Sequence, residues 1–200
     1  MKPLLLALPL PLTLAPLVAE EPADDEPHPV PAADASLPQG SLYVLDATWT
    51  DQDGKPVVWS ESLGTPRVVA LGYATCKGIC PRVIADMQRI EKGLDANSNA
   101  RFTFVTLDPE NDQEAELIAL AKNHVLTPGR WDLLRGDEDA LLELAVALGI
   151  RFNRLPNGID FAHSYLIAIL GPDGKVLHKW TDPNSGPDAA IKALNALSPP

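Results

Sequence analysis

The chain has 200 residues with 27 acidic and 16 basic side chains, which gives a formal net charge of −11. This length is sufficient for one domain with a core of its own and extensions beyond it. The acidic balance excludes a nucleic-acid partner, because the sequence has no basic stripe to meet phosphates.

The first 19 residues have the pattern of a secretory signal peptide. Lys2 precedes an apolar, uncharged run that ends at Ala19. Prolines interrupt this run and it is short for a membrane span, so we expect no firm membrane anchor. The protein is therefore expected to be periplasmic or otherwise exported, and retention by an uncleaved segment is the alternative.

Residues 20–36 have the composition of an acidic, proline-rich linker. Between positions 20 and 35 there are six carboxylates, no basic residue and four prolines. Such a segment repels itself and has too few apolar side chains to form a core. We expect a disordered tether, followed by one folded domain over residues 37–200.

The domain alternates short apolar runs with amphipathic segments. Strands are predicted at 42–49, 56–59, 67–73, 101–107, 131–134 (a strand or a turn), 163–170 and 175–180. Helices are predicted at about 81–94, 113–123, 137–148 and 187–197, with a loop at 151–160. The first two strands form an N-terminal β-hairpin, and this order of elements predicts an α/β domain with a central mixed sheet flanked by helices, the thioredoxin-like fold.

Both cysteines of the chain, Cys76 and Cys80, lie between the strand at 67–73 and the helix that follows it. The start of a helix favours a thiolate, and Lys77 and Arg82 are expected to add to this effect. A structural disulfide would close a loop of only about five residues, worth ~2 kcal/mol against ~4.7 for a loop of a hundred. Reactive or metal-binding thiols are therefore the better interpretation, and in an exported protein they need a thiol reductant as a partner.

Four other polar residues have a structural interpretation beside a functional one. Asp112 is expected to act as a cap or first-turn charge of the second helix, and His124 as a cationic cap at its end. For Asp108 both a capping role and a functional role are open, because it follows a core strand on the same edge as the cysteines. His178 is interpreted as a surface or satisfied core residue.

Three segments together resemble the Sco/SenC copper-chaperone family. They are Cys-x-x-x-Cys-Pro after a core strand, Thr-Leu-Asp-Pro-Glu-Asn-Asp at 106–112, and His-Ser-Tyr-Leu-Ile leading to Gly-Pro-Asp-Gly at 163–174. The resemblance covers about residues 40–197 and implies that Cys76, Cys80 and His163 are copper ligands. Two thiolates and an imidazole suit Cu(I), and a further ligand would allow Cu(II). Lys77 and Gly78 depart from the acidic pair that usually follows the first cysteine in that family.

Two functions are expected from these residues. The first is an exported copper metallochaperone, which takes copper from a donor protein and, by resemblance, delivers it to a cytochrome c oxidase subunit or another cuproprotein. That role is binding and not turnover. The second is a thiol-disulfide oxidoreductase in which Cys76 attacks and Cys80 resolves. A metal site requires His163, whereas thiol exchange does not, so this residue separates the two hypotheses.

Overall fold

A computed structural model describes residues 39–45, 47–158 and 160–198. The predicted signal peptide at 1–19 and the acidic linker at 20–36 lie outside these residues. No helix in the described part of the chain combines the length and the apolar character that a membrane span requires.

The described residues form nine strands and four helices. The strands are β1 (Thr48–Thr50), β2 (Pro56–Val58), β3 (Arg67–Gly72), β4 (Arg101–Thr106), β5 (Trp131–Leu134), β6 (Phe152–Arg154), β7 (Phe161–His163), β8 (Ile167–Leu170) and β9 (Val176–Trp180). The helices are α1 (Cys80–Lys92), α2 (Glu114–Asn123), α3 (Glu138–Leu148) and α4 (Asp188–Asn195).

Five strands form the central mixed sheet, in the order β5-β4-β3-β8-β9. β3, β4 and β5 are parallel, whereas β8 is antiparallel to β3 and β9 is antiparallel to β8. Helix α1 joins the neighbouring parallel strands β3 and β4, as the β-α-β unit requires. The hairpin of β1 and β2 forms a separate two-stranded sheet. The predicted α/β, thioredoxin-like fold is confirmed.

Helices and the hairpin cover the two faces of the central sheet. Alternate residues of a strand point to opposite faces, and in β3 the side chains of Val68 and Ala70 join a core with α1, α2 and α4. Val69 and Leu71 join the second core, which contains α3, the hairpin and the tryptophans Trp49 and Trp59. Burial on both faces explains why β3 is an almost continuous apolar run.

The first predicted hairpin strand is shorter in the structure. The segment Leu42–Val44 is a 3-10 turn, and the strand begins only at Thr48. The side-chain oxygen of Ser41 accepts a hydrogen bond from the backbone N–H of Tyr43 at 3.1 Å. This local bond favours a turn over an extended conformation, so the prediction of a strand from residue 42 was wrong.

The predicted loop at 151–160 and the predicted strand at 163–170 are also organised differently. β6 and β7 pair antiparallel, with Phe152 opposite His163, and we call this pair the histidine ribbon. The backbone N–H of Ser164 extends the ribbon by donating to the carbonyl of Arg151 at 3.1 Å. The strand of the central sheet starts only at Ile167. His163 therefore ends a ribbon outside the central sheet and does not open a strand of that sheet.

Candidate functional site

The two cysteines lie at the junction between β3 and α1, and we call residues 73–79, which include Cys76, the cysteine loop. Cys80 is the first residue of α1, and Pro81 follows within the first turn, where its missing N–H costs no hydrogen bond. Gly72 ends β3 and makes room for the second sulfur. A Cβ atom at this position would lie 2.9 Å from the Sγ atom of Cys80 and 2.6 Å from the Phe104 ring.

Both cysteines are free thiols, and they differ in exposure and in acidity. Cys80 is 2% exposed, whereas Cys76 is half-buried. Burial acts to raise the pKa of Cys76, but the neighbouring Cys80 thiol, the N–H groups of Cys80 and Gly78 and the nearby Tyr73 hydroxyl together lower this pKa below its ordinary value. Burial and the neighbouring Cys76 sulfur raise the pKa of Cys80. The structure thus separates a thiolate-prone sulfur from a protonated one.

Hydrogen bonds stabilise the Cys76 thiolate, and Arg82 does not take the role expected for it. The Nε atom of Arg82 donates to Asp86 at 2.6 Å, and its Nη2 atom donates to the carbonyl of Pro183 at 2.7 Å. The guanidinium is therefore committed to helix α1 and to the segment before α4. Lys77 is exposed on the cysteine loop.

His163 reaches the sulfur of Cys80 from the histidine ribbon. Its Nε2 atom lies 3.7 Å from the Sγ atom of Cys80, and its Nδ1 atom lies 3.2 Å from the carbonyl oxygen of Ser164. Burial lowers the pKa of His163, and the bond to the Ser164 carbonyl offsets this only in part. A carbonyl can only accept, so Nδ1 carries the proton of the neutral ring and the lone pair of Nε2 faces the sulfur.

The structure brings the three predicted site residues together as a chain of neighbours. Cys76 and Cys80 are close enough for each thiol to shift the pKa of the other, and the sulfur of Cys80 contacts His163. However, no group of three or more His, Cys, Asp or Glu side chains in the described ranges is arranged to hold a metal ion. The assignment of Cys76, Cys80 and His163 as ligands therefore stays a prediction.

Asp112 is not the helix cap that we expected. Helix α2 begins at Glu114, and its N-cap residue is Gln113, without a capping side-chain bond. The carboxylate of Asp112 is instead fully buried, and its Oδ2 atom accepts from the backbone N–H of Ala74 at 2.8 Å and from the hydroxyl of Thr106. Since β3 and β4 are neighbours, this side chain can anchor the cysteine loop to the end of β4. Burial raises the pKa of Asp112.

Asp108 lies at the same edge of the sheet and fastens the histidine ribbon. Arg154 of β6 donates to the Oδ1 atom of Asp108 at 2.7 Å, and its guanidinium lies 4.5 Å from the centre of the Phe161 ring on β7. Asn111 donates to both oxygens of Asp108 at 3.0 Å. Asp108 thus connects the ribbon to the segment that follows β4.

The two remaining described histidines lie elsewhere. His124 is the C-cap residue of α2, where we expected a cationic cap, but burial lowers its pKa and so disfavours the charged form. His178 is half-buried on β9, opposite Ile169 of β8.

Tyr73 is a site residue that the sequence analysis missed. It is 3% exposed, and its hydroxyl donates to the Oδ1 atom of Asp160 at 3.1 Å. The backbone N–H of Phe161 donates to the same hydroxyl at 3.4 Å, and the Tyr73 and His163 rings meet edge to face at 6.5 Å. The available signal was an aromatic hydroxyl at the end of a buried strand, three residues before Cys76.

Comparison with known proteins decides the family of the chain. The sequence model of the SCO1/SenC family matches residues 38–198. The chain belongs to the SCO1/SenC family. The SCO1 protein homolog of Bacillus subtilis (strain 168) is 32% identical over 155 residues, which cover 76% of this chain and 80% of that protein.

Solved structures of Sco proteins share the fold. BsSco, described with a disulfide switch and as a member of the Sco family of cytochrome c oxidase assembly proteins, is 30% identical with a TM-score of 0.65, covering 76% of this chain and 90% of its own. Copper-bound ScoI of Bradyrhizobium japonicum is 21% identical with a TM-score of 0.64, covering 76% of this chain and 96% of its own. The resemblance to the Sco/SenC family is thus confirmed.

Proposed function

We propose that this protein is an exported copper metallochaperone that binds one copper ion through Cys76, Cys80 and His163. The observation that carries the proposal is the 3.7 Å contact between the Sγ atom of Cys80 and the Nε2 atom of His163. These residues are 83 positions apart in the chain, and the imidazole presents its unprotonated nitrogen to the sulfur. Copper bound in ScoI of Bradyrhizobium japonicum supports the same cargo here.

The donor set fits copper by its chemistry. Thiolates are soft ligands that select Cu(I), and a neutral imidazole suits both common oxidation states of copper. Because the pKa of Cys80 is raised, loading releases the proton that this thiol carries. Since no group of three such side chains in the described structure is arranged to hold a metal, copper binding requires the three side chains to move relative to one another. Three protein ligands leave room for an incoming thiolate of a recipient, which permits transfer by ligand exchange.

The recipient and the compartment belong to the same proposal. The description of BsSco as a member of a cytochrome c oxidase assembly family supports a copper site of that oxidase as the destination. The signal-peptide pattern of residues 1–19 supports an exported, periplasmic location. There, a copper-donor protein and a thiol reductant are required as further partners, because exported thiols tend to be oxidised.

Copper titration of the reduced protein, followed by absorption spectroscopy, tests the proposal. We expect sulfur-to-Cu(II) charge-transfer bands that saturate at one copper per chain and disappear in Cys76→Ser and Cys80→Ser. His163→Ala is expected to weaken copper binding by at least tenfold, whereas the matched control His178→Ala on β9 leaves it unchanged. Equal binding by wild type and His163→Ala contradicts the ligand assignment.

A second candidate is thiol-disulfide exchange, which the asymmetry of the two thiols favours. Cys76 is the more exposed sulfur and receives several hydrogen bonds, whereas Cys80 is buried behind it. The Cys76 thiolate would attack one sulfur of a client disulfide, forming a mixed disulfide and releasing a client thiolate. Cys80, on losing its proton, would then attack the Cys76 sulfur and release the second client thiol. The client gains two electrons, and an external dithiol reductant must restore the Cys76–Cys80 pair.

The two functions differ in their dependence on the imidazole. In His163→Ala we expect the rate of reduction of a model disulfide such as oxidised glutathione to remain within about twofold of wild type, while copper binding is weakened by at least tenfold. Loss of both properties in that variant would contradict an exchange activity that is independent of the metal site.

A further inference from the structure

The candidate site is assembled from two pieces that belong to different sheets. The thiols follow β3 of the central sheet, whereas His163 ends β7 of the histidine ribbon. Strands of three residues are weak on their own, because few backbone bonds and little apolar surface hold them. The distance between sulfur and imidazole therefore depends on side chains that join the ribbon to the rest of the domain.

Tyr73 contacts both pieces. On the side of the thiols, it belongs to the cysteine loop, and its carbonyl accepts the backbone N–H of Cys76 at 3.3 Å. On the side of the ribbon, its hydroxyl donates to Asp160 and accepts the N–H of Phe161. The aromatic ring packs against Phe161 at 5.2 Å between centroids and meets the edge of His163 at 6.5 Å.

The ion pair between Arg154 and Asp108 is a different kind of connection. It fastens β6 to the residues after β4, and it therefore holds the ribbon against the sheet without contacting a thiol. Tyr73, in contrast, connects the loop that carries Cys76 to the strand that carries His163.

We propose that Tyr73 is a positioning residue, whose hydroxyl ties the cysteine loop to the histidine ribbon and holds Cys76 and His163 at the spacing that copper binding needs. This inference rests on the proposed copper-binding function. Partners just outside a metal's ligands orient those ligands, and their loss typically lowers metal affinity by about tenfold to a hundredfold. We expect an effect at the lower end of that range, since the aromatic ring remains when only the hydroxyl is removed.

The chain offers a matched series for the test, because it has three tyrosines. Tyr73→Phe removes the tie. Tyr43→Phe removes a comparable hydroxyl, which donates to the carbonyl of Thr65 at 2.6 Å in the second core. Asp160→Ala removes the acceptor of the Tyr73 hydroxyl and leaves the Phe161 N–H bond and the Tyr73 ring in place, so it serves as a second, milder variant should Tyr73→Phe fold poorly.

Two readouts are needed, and one of them requires no metal. Hydrogen exchange of backbone amides, measured on the reduced protein without copper, is expected to be faster at Phe161 and along residues 152–163 in Tyr73→Phe, and unchanged there in Tyr43→Phe. Copper affinity of the reduced proteins is expected to fall about tenfold in Tyr73→Phe, less in Asp160→Ala and not in Tyr43→Phe.

The possible results separate this inference from the proposed function. Faster amide hydrogen exchange in the histidine ribbon together with weaker copper binding, both in Tyr73→Phe, supports the positioning role. Faster exchange with unchanged copper affinity overturns it, and so does a Tyr73→Phe variant that matches Tyr43→Phe in both measurements. Absence of copper binding by the wild type overturns the proposed function, and the exchange measurement then still decides whether the hydroxyl ties loop and ribbon together.

Discussion

Two buried carboxylates, Asp132 and Asp112, lie at opposite ends of the three parallel strands of the sheet, and they differ in the groups that face them. At the start of the strands, Asp132 lies between Arg67 and Arg101. The Nη1 atom of Arg67 is 2.8 Å from the Oδ2 atom of Asp132, and the same guanidinium donates to Ser62 and Thr103. Every charge of this cluster, which we call the anchor end, has an opposite charge beside it.

At the other end of these strands, which we call the site end, Asp108 is paired with Arg154, but Asp112 has no cation beside it in the described part of the chain. In the part of the chain that the structure describes, the carboxylate of Asp112 accepts only from the N–H of Ala74 and the hydroxyl of Thr106, and its Oδ1 atom has no hydrogen-bond partner. The negative charge of Asp112 also acts to raise the pKa of Cys80.

The pKa values of the two acids move in opposite directions for this reason. Burial acts to raise the pKa of Asp132, but the hydrogen bonds and charges of Arg101 and Arg67 lower it overall. Burial raises the pKa of Asp112, and its two hydrogen bonds do not offset this. A cluster in which every charge has a counter-charge stabilises the sheet. A buried carboxylate without a counter-charge beside two thiols is typical of a functional site.

The largest expected effect is the loss of the acid at the anchor end. Asp132→Asn leaves the buried Arg67 guanidinium without its counter-charge, which typically costs about 3–5 kcal/mol of unfolding free energy. Denaturant unfolding measures this loss. The control is Asp53→Asn, since Asp53 faces Lys55 at 4.0 Å on the surface, where a pair contributes about 0–1 kcal/mol. Similar losses in the two variants would show that the anchor end is not the stronger cluster.

A smaller loss is expected at the site end, and it depends on which atoms are removed. Asp112→Ala deprives the N–H of Ala74 and the hydroxyl of Thr106 of their acceptor, at about 1–3 kcal/mol. Asp112→Asn can keep both bonds, because a single oxygen, Oδ2, accepts them. Denaturant unfolding at neutral pH should therefore give a clearly lower unfolding free energy for Asp112→Ala than for Asp112→Asn. Equal losses would mean that the charge, and not the acceptor, is what matters.

The pH dependence of stability should have opposite signs at the two ends. The lowered pKa of Asp132 contributes stability that is present above its unfolded pKa of about 4 and is lost as pH falls through the folded pKa. The raised pKa of Asp112 contributes stability that is present below about pH 4 and is lost as pH rises through the folded pKa.

Unfolding free energies measured across pH 3–8 test these signs. Relative to wild type, the unfolding free energy of Asp112→Asn should increase as pH rises above about 4. That of Asp132→Asn should decrease as pH rises through the acidic range where Asp132 ionises. A constant difference between wild type and Asp112→Asn over this range would contradict the raised pKa of Asp112.

The last prediction concerns thiol labelling, which is specific to the site end and involves no change in stability. Iodoacetamide should modify Cys76 well before Cys80 in the reduced protein, because Cys76 is more exposed and its pKa is lowered. Peptide mass spectrometry at neutral pH reads the order directly. Equal labelling of the two cysteines in the folded protein would contradict the asymmetry between them.

Sequence patterns could predict the parts of the molecule that depend on neighbours in the chain. The apolar run of β3, the amphipathic period of α1 and the placement of Cys76 and Cys80 between them all follow from local spacing. The contact of Cys80 with His163 spans 83 positions, and only the family resemblance implied it.

The missed features depend on pairing between distant segments. β6 and β7 are three residues each and hold polar residues such as Asn153, so no periodic signal distinguishes them from a loop. The role of Asp112 exists only because β3 and β4 are adjacent, which places Ala74 within hydrogen-bond distance. A first-turn acid in sequence is more often a cap, and here the tertiary contact replaced that local one.

X-ray absorption of the copper-loaded, reduced protein tests the central claim most directly, because it counts the sulfur and nitrogen neighbours of the metal. Binding by Cys76, Cys80 and His163 predicts two sulfur ligands and at least one imidazole nitrogen, with the nitrogen contribution lost in His163→Ala. A spectrum with sulfur neighbours alone, identical in wild type and His163→Ala, would contradict a copper site shared between the cysteine loop and the histidine ribbon.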